Sequence, residues 1–248
     1  MADRAGQAAT ALVWLTRLPL GKLLPARPVP LSQAAWAFPL AGIAVALPAG
    51  GVFWLAGELG LPPLAGALLA LAATAALTGA LHEDGLADFA DGCGSADRTR
   101  ALEIMRDSRI GSYGVVALIL GFGLRAAALA AMAPGLGLAA LVAAAALSRA
   151  GMAAGLTALP PARSDGLGRL AGRISAGQAG VAALIGAAVL LWPAGLSAGW
   201  LAALLACALA QGWVARSARR RLGGQTGDVL GAMQQAGEIA VLLVLAAT

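Results

Sequence analysis

Apolar runs long enough to cross a bilayer follow one another along nearly the whole chain, separated by short polar connections. At about 20 residues per crossing, they predict spans over 33–57, 63–81, 113–133, 136–158, 178–192, 196–215 and 228–247, the fifth being short. Pro62, Pro134, Gly135, Pro193 and Gly195 fall in the tight connections, where a helix must stop and turn back. The first apolar run, 5–15, is interrupted by Gln7 and leads into Arg17 and Pro19 without a small-residue cleavage site. It reads as an interfacial helix held at headgroup level by Trp14, Arg17 and Lys22, with a plain N-terminal leader as the alternative. The predicted fold is therefore all-α: a single integral membrane domain over residues 1–248, a polytopic transmembrane helical bundle of about seven spans plus a short N-terminal interfacial helix.

Composition agrees with that pattern, at 60% hydrophobic and 12% charged residues and a mean hydropathy of +0.81. The basic residues then orient the spans. Arg4, Arg17, Lys22 and Arg27 precede the first; Arg98, Arg100, Arg106 and Arg109 separate the second from the third; Arg163, Arg169 and Arg173 separate the fourth from the fifth; Arg216, Arg219, Arg220 and Arg221 separate the sixth from the seventh. The intervening connections carry none, so the positive-inside bias predicts a multi-pass protein of the bacterial cytoplasmic (inner) membrane, with these four segments in the cytoplasm and the C-terminus outside. The net charge of +5 is then a topology signal and not a nucleic-acid-binding surface. The lipid bilayer is the partner this composition requires; a homo-oligomer is left open. Two cysteines, Cys93 and Cys207, give neither a disulfide framework nor a paired metal motif. Gly151 with Gly155 and Gly195 with Gly199 are spaced for close helix packing.

Seven of the twelve acidic residues lie between Glu83 and Asp107, directly behind an apolar run. If the second span continues as helix past Leu81, about 100° per residue puts Asp84, Asp88 and Asp91 on one stripe. At separations of about 6 Å and an effective dielectric of about 20, each like-charge pair costs on the order of 3 kcal/mol. Protonation or a divalent cation relieves that cost, and oxygen-only ligands favour Mg²⁺ or Mn²⁺ over zinc. The plainer alternative is a solvated acidic helix end. Gly85 and Gly92 weaken this helix for no structural gain visible in the sequence.

The spacing D-G-x-x-D-x-x-D-G over 84–92 resembles the carboxylate signature of membrane enzymes that transfer a nucleotide-activated phosphoryl group to an alcohol. A closer likeness follows from Leu81-His82-Glu83-Asp84-Gly85-Leu86-Ala87-Asp88, continuing through Asp91-Gly92 and then Asp107-Ser108-Arg109-Ile110-Gly111-Ser112-Tyr113-Gly114. With Leu15-Thr16-Arg17-Leu18-Pro19, Phe38-Pro39-Leu40-Ala41-Gly42, Ser148-Arg149 and Leu222-Gly223-Gly224-Gln225-Thr226-Gly227-Asp228, these motifs resemble the cobalamin synthase family, the adenosylcobinamide-GDP ribazoletransferases, over nearly the whole chain. The resemblance implies transfer of the cobinamide-phosphoryl group of adenosylcobinamide-GDP to α-ribazole or its 5′-phosphate. GMP is released and adenosylcobalamin or its 5′-phosphate formed, with Mg²⁺ as cofactor.

On that reading Asp84, Asp88 and Asp91 hold Mg²⁺, and Asp91, the last carboxylate, is the preferred base. His82, the only histidine, is a candidate base or ligand, or else a structural residue. Asp107 and Arg109 are expected at the substrate, Arg109 as a fork for phosphate oxygens, unless they form an ordinary loop ion pair. Arg149, inside the fourth span, is the candidate contact for a substrate anion, and Arg125 reads as structural, either pairing with an acid or reaching a cavity. Asp228 is expected to converge on the Asp84 cluster, to cap the last helix, or both. Two other functions fit parts of the pattern. A CDP-alcohol phosphotransferase acting on lipid normally continues its signature as D-G-x-x-A-R, which this sequence does not. A cation-coupled transporter predicts acids near the midplane and an internal repeat, whereas here the acids cluster at one edge and no repeat is found.

Overall fold

The computed structural model of the protein describes residues 4–164, 174–192 and 197–248. Arg169, Arg173, Pro193 and Gly195 lie outside them. Helices account for the fold: α1 (Arg4–Leu15), α2 (Leu31–Ala34), α3 (Phe38–Glu58), α4 (Pro63–Thr78), α5 (Leu81–Cys93), α6 (Arg98–Ile104), α7 (Ser112–Ala130), α8 (Pro134–Ala158), α9 (Ala176–Leu191), α10 (Ala198–Arg221) and α11 (Gly227–Ala246). Among the described residues there is no strand, only one isolated bridge between Pro161 and Gln225.

Five helical segments are long and apolar enough to cross a membrane: Leu31–Glu58, Ser112–Ala130, Pro134–Ala158, Ala198–Arg221 and Gly227–Ala246. α4 and α5 together make a sixth candidate, bent by 90°, and α9 is a shorter apolar helix. The expected count of about seven thus requires two elements that do not qualify alone. At about 1.5 Å per residue, the 16 residues of α4 and of α9 each fall short of about 30 Å of hydrocarbon.

α8 lies at the centre, flanked by α3, α9 and α11. Its alanine-rich surface lets neighbours approach closely. A Cβ on Gly42 of α3 would lie 2.6 Å from the Ala145 carbonyl carbon and 2.9 Å from the Ala146 nitrogen, backbone atoms that cannot turn aside. Gly42→Ala is therefore expected to wedge α3 from α8 and cost about 1–3 kcal/mol, visible as earlier thermal unfolding in detergent.

The second predicted span does not run on through Leu81. Gly79 (φ 66°) and Ala80 (φ 55°) are both left-handed; the Ala80 N–H returns to the Ala75 carbonyl at 2.8 Å and closes α4. The helix restarts at a right angle as α5. A side chain at Gly79 would be strained by its positive φ and would run into the Arg17 side chain, while the Arg17 N–H donates to the Leu77 carbonyl at 2.7 Å. The Arg17 segment thus fills the elbow and sets a cation at the negative end of α4. α1 is a helix, as expected, and its inner face is tied down by the Trp36 indole N–H donating to Gln7 Oε1 at 2.7 Å.

The connections after α5, α8 and α10 meet at one end of the bundle. Arg98 donates from Nε to the Leu222 carbonyl at 2.8 Å and from Nη2 to the Ala162 carbonyl at 3.1 Å. Arg221 donates to the Cys93 carbonyl at 2.8 Å.

Candidate active site

α5 is helical throughout, so Asp84, Asp88 and Asp91 have the predicted i, i+4, i+7 spacing, but their surroundings differ. Asp84 is exposed and Asp88 half-buried. Both line a polar cavity of about 530 Å³ with Arg106, Asp107 and Ser108 of the connection between α6 and α7. Gly85 and Gly231 bring α11 against the same helix: a Cβ on Gly85 would lie 3.0 Å from the Asp228 Cα. That crossing is the structural gain from Gly85, and it puts Asp228 close enough to act on both Asp84 and Asp88. Gly92 has a parallel use, since a Cβ there would meet the Met105 side chain.

Asp91 departs from the expected trio. It is buried, and both oxygens are engaged: Oδ2 accepts from the Gly111 N–H at 2.7 Å and Oδ1 from the Gly114 N–H at 2.8 Å. The carboxylate therefore caps the first turn of α7 from a neighbouring helix, where its charge meets the positive end of the helix dipole. Gly111 and Gly114 are glycines for the same reason, since a Cβ on either would occupy the carboxylate's place. Asp91 lines the adjacent cavity, with Asp107, Arg109 and Ser112, and not the one shared by Asp84 and Asp88. Among the described residues, no three His, Cys, Asp or Glu side chains are grouped to hold a metal ion. The structure thus does not bring the three aspartates together: Asp84 and Asp88 share a cavity, with Asp228 close by, and Asp91 is turned to the start of α7. Asp91→Asn is expected to remove one of two capping acceptors and cost about 0.5–2 kcal/mol, read by thermal unfolding of the solubilised protein.

Asp228 converges on this pair from the first turn of α11, but the cap of that helix is Thr226, whose hydroxyl accepts from the Val229 N–H at 3.2 Å. Thr226 also donates to Asp228 Oδ2 at 3.1 Å. Arg163 lies 3.7 Å from the same oxygen and donates to the Leu102 carbonyl at 3.1 Å. Sequence reasoning counted Arg163 only as a topology residue; its place just past α8 was the one available hint.

Asp107 and Arg109 form the plain loop ion pair. Arg109 donates from Nε and Nη2 to the two Asp107 oxygens, at 3.0 and 2.6 Å, and its side chain is 86% exposed. These hydrogen bonds hold the Asp107 carboxyl at about 2, well below the usual carboxylate range. The fork expected for phosphate is therefore spent on Asp107, which lines both polar cavities.

Arg149, expected at a substrate anion, is 1% exposed and lines none of the cavities described for this site. It donates to its own helix at the Ala145 carbonyl (3.1 Å) and lies 3.9 Å from Glu238. Arg125, read from sequence as structural with an acid or a cavity as its surroundings, has acids: it lies 3.2 Å from both Glu83 and Glu238. Gln234 donates to Glu238 at 2.6 Å and to the Ser148 hydroxyl at 3.1 Å, and Gln235 donates to Glu83 at 3.1 Å. This polar layer locks α5, α7, α8 and α11 together behind the cavity wall. Glu238, Gln234 and Gln235 were missed, although three polar residues within an apolar span were the signal.

His82 is 1% exposed and its Nε2 has no hydrogen-bond partner. It lines a third, mainly apolar cavity of about 100 Å³ between α5 and the N-terminal arm, which Asp84 and Asp228 also reach.

Comparison with known proteins bears on what such a site does. The family model described as Cobalamin-5-phosphate synthase matches residues 7–246. An adenosylcobinamide-GDP ribazoletransferase of Bradyrhizobium diazoefficiens is 51% identical over 239 residues, 96% of this chain and 92% of that protein. Similarly named proteins of Sinorhizobium medicae and Rhizobium meliloti are 48% and 47% identical, each over 87% of this chain and 86% of their own length. No solved structure matches. With the match running from α1 to the end of α11, through every helix that frames these cavities, this chain belongs to the cobalamin-5-phosphate synthase family.

Proposed function

We propose that the protein is an adenosylcobinamide-GDP ribazoletransferase, a membrane phosphotransferase that joins cobinamide phosphate to α-ribazole or its 5′-phosphate and releases GMP. The observation that carries the reading is the pair Asp84 and Asp88 on the wall of a polar cavity, in a chain matched end to end by relatives bearing that name. The positive-inside bias supports a multi-pass protein of the cytoplasmic membrane with this end of the bundle facing the cytosol.

A ribose hydroxyl of the acceptor attacks the phosphorus bonded to cobinamide. The new O–P bond forms as the bridging O–P bond of the diphosphate breaks, and GMP leaves with the bridging oxygen. Asp88, flanked by Asp84 and Asp228, is the carboxylate placed to take the hydroxyl proton. Arg163, beside Asp228, offers a cation to the diphosphate oxygens.

The donor set fits Mg²⁺, because the ion is usually held by one or two carboxylates, with substrate phosphates and water completing its shell. Asp84 and Asp88 would hold it. Bound there, it would neutralise the charge that builds on the diphosphate oxygens during transfer.

Membranes containing the protein, given adenosylcobinamide-GDP and α-ribazole phosphate, are expected to release GMP only with a divalent cation present. No release under Mg²⁺ or Mn²⁺ would refute the reading.

A further inference from the structure

We propose that the cavity between the end of α5 and the start of α7 seats the guanine of the nucleotide donor, with Arg109 donating to its O6 and N7 and Tyr113 stacking on its face; this rests on the reaction proposed above. The cavity measures about 520 Å³, within the roughly 300–1,000 Å³ of small-molecule sites. It adjoins the cavity of Asp84 and Asp88 at Asp107, which lines both. A base on one side of Asp107 therefore has its diphosphate next to the two carboxylates on the other. No other cavity offers a base this neighbourhood. The one at His82 is only about 100 Å³, and the grooves between α8, α9 and α10 and between α3, α8 and α9 are walled almost wholly by apolar side chains.

Asp107 fixes Arg109 by accepting from its backbone N–H at 3.0 Å, from Nε at 3.0 Å and from Nη2 at 2.6 Å. These bonds take the Nε–Nη2 edge of the guanidinium. A planar guanidinium has five N–H groups, so its far end still presents one from each Nη, side by side and directed away from Asp107. That end is open to a ligand, the side chain being 86% exposed. Two such donors match the O6 and N7 acceptors of guanine, whereas adenine sets an amino donor where guanine has O6.

Tyr113 supplies the flat surface. It is 65% exposed, and a Cβ on Gly94 would lie 2.8 Å from its Cε2. Gly94 has φ −67°, which any residue adopts, so glycine there makes room for the ring and does not serve the backbone. Between Arg109 and Tyr113 stands Gly111, whose N–H donates to Asp91 Oδ2 at 2.7 Å. That bond anchors the segment carrying both contacts.

The test is equilibrium dialysis of GMP, IMP and AMP against full-length protein in detergent with Mg²⁺, alongside the KM for adenosylcobinamide-GDP. The wild type is expected to hold AMP about ten- to a hundredfold more weakly than GMP, equivalent to one bidentate base contact. IMP, which keeps O6 and N7 and lacks the 2-amino group, should bind within about threefold of GMP. Arg109→Ala and Arg109→Lys should each bring GMP and IMP down to the level of AMP and raise the KM for adenosylcobinamide-GDP by the same factor, without moving the KM for α-ribazole. Lysine keeps the charge and loses the fork, so its failure separates base reading from attraction to phosphate. Tyr113→Leu should weaken GMP and AMP alike, about tenfold, because stacking does not tell bases apart. Equal binding of GMP and AMP by the wild type overturns the subsite, as does discrimination that survives in Arg109→Ala or Arg109→Lys. IMP bound as weakly as AMP also overturns it, since the reading would then lie at the N1 and 2-amino edge. A wild type that binds GMP in this Arg109-dependent way yet releases none from adenosylcobinamide-GDP upholds the subsite and refutes the reaction; GMP release without discrimination does the reverse.

Discussion

Asp88→Asn and Asp84→Asn are each expected to lower GMP release by about 10²–10³-fold, the loss that follows when one fixed charge is removed from a phosphoryl-transfer or oxyanion-type site, while the protein remains folded. The second half of that expectation is the more discriminating. Asp88 sits among Asp84, Asp228 and Asp91, with Arg163 offsetting part of their repulsion. Converting it to an amide removes like-charge repulsion, so the melting temperature should hold or rise as activity disappears. Measuring both quantities on one preparation decides the matter. Near-normal turnover in either variant would remove these carboxylates from the chemistry, and activity lost together with the fold would make them structural.

Arg125→Met is expected to show the opposite profile, a collapse in stability of about 3–5 kcal/mol, because it leaves buried carboxylates without their cation. Glu83 and Glu238 each lie 3.2 Å from this guanidinium, and all three side chains are almost entirely buried. Glu238→Gln alone should cost less, since Arg125 keeps Glu83. Changing Arg125 to Met together with Glu83→Gln and Glu238→Gln should recover much of the loss, as the charges then vanish as a set. Thermal unfolding in detergent reads each step. If the single Arg125 variant melts like the wild type, the layer is not the lock described here.

Helical periodicity made the carboxylate stripe legible, because residues three and four apart share a face whatever the rest of the fold does. What lies opposite that face is tertiary. Nothing local to Asp91 reveals that Gly111 and Gly114 will direct two N–H groups at it from 20 and 23 residues away. The right-angle elbow was partly readable, since Gly79 interrupts the apolar run, but hydropathy continues to Leu81 and conceals the break. Arg125 and Arg149 were recognisable as buried within spans. Only the partner distinguishes a substrate contact from a structural charge, and Glu238 was the acid left unmatched. Asp228 could be placed because helix topology alone returns the last span to the same end as α5.

The two partners of Arg125 lie at very different distances along the chain, Glu83 at 42 residues and Glu238 at 113. The nearer carboxylate precedes Arg125 in the chain and the farther one belongs to α11, so the triad closes only when the last helix packs against α5 and α7. Neutralising this buried guanidinium thus couples the final helix to the packing of the first half of the bundle.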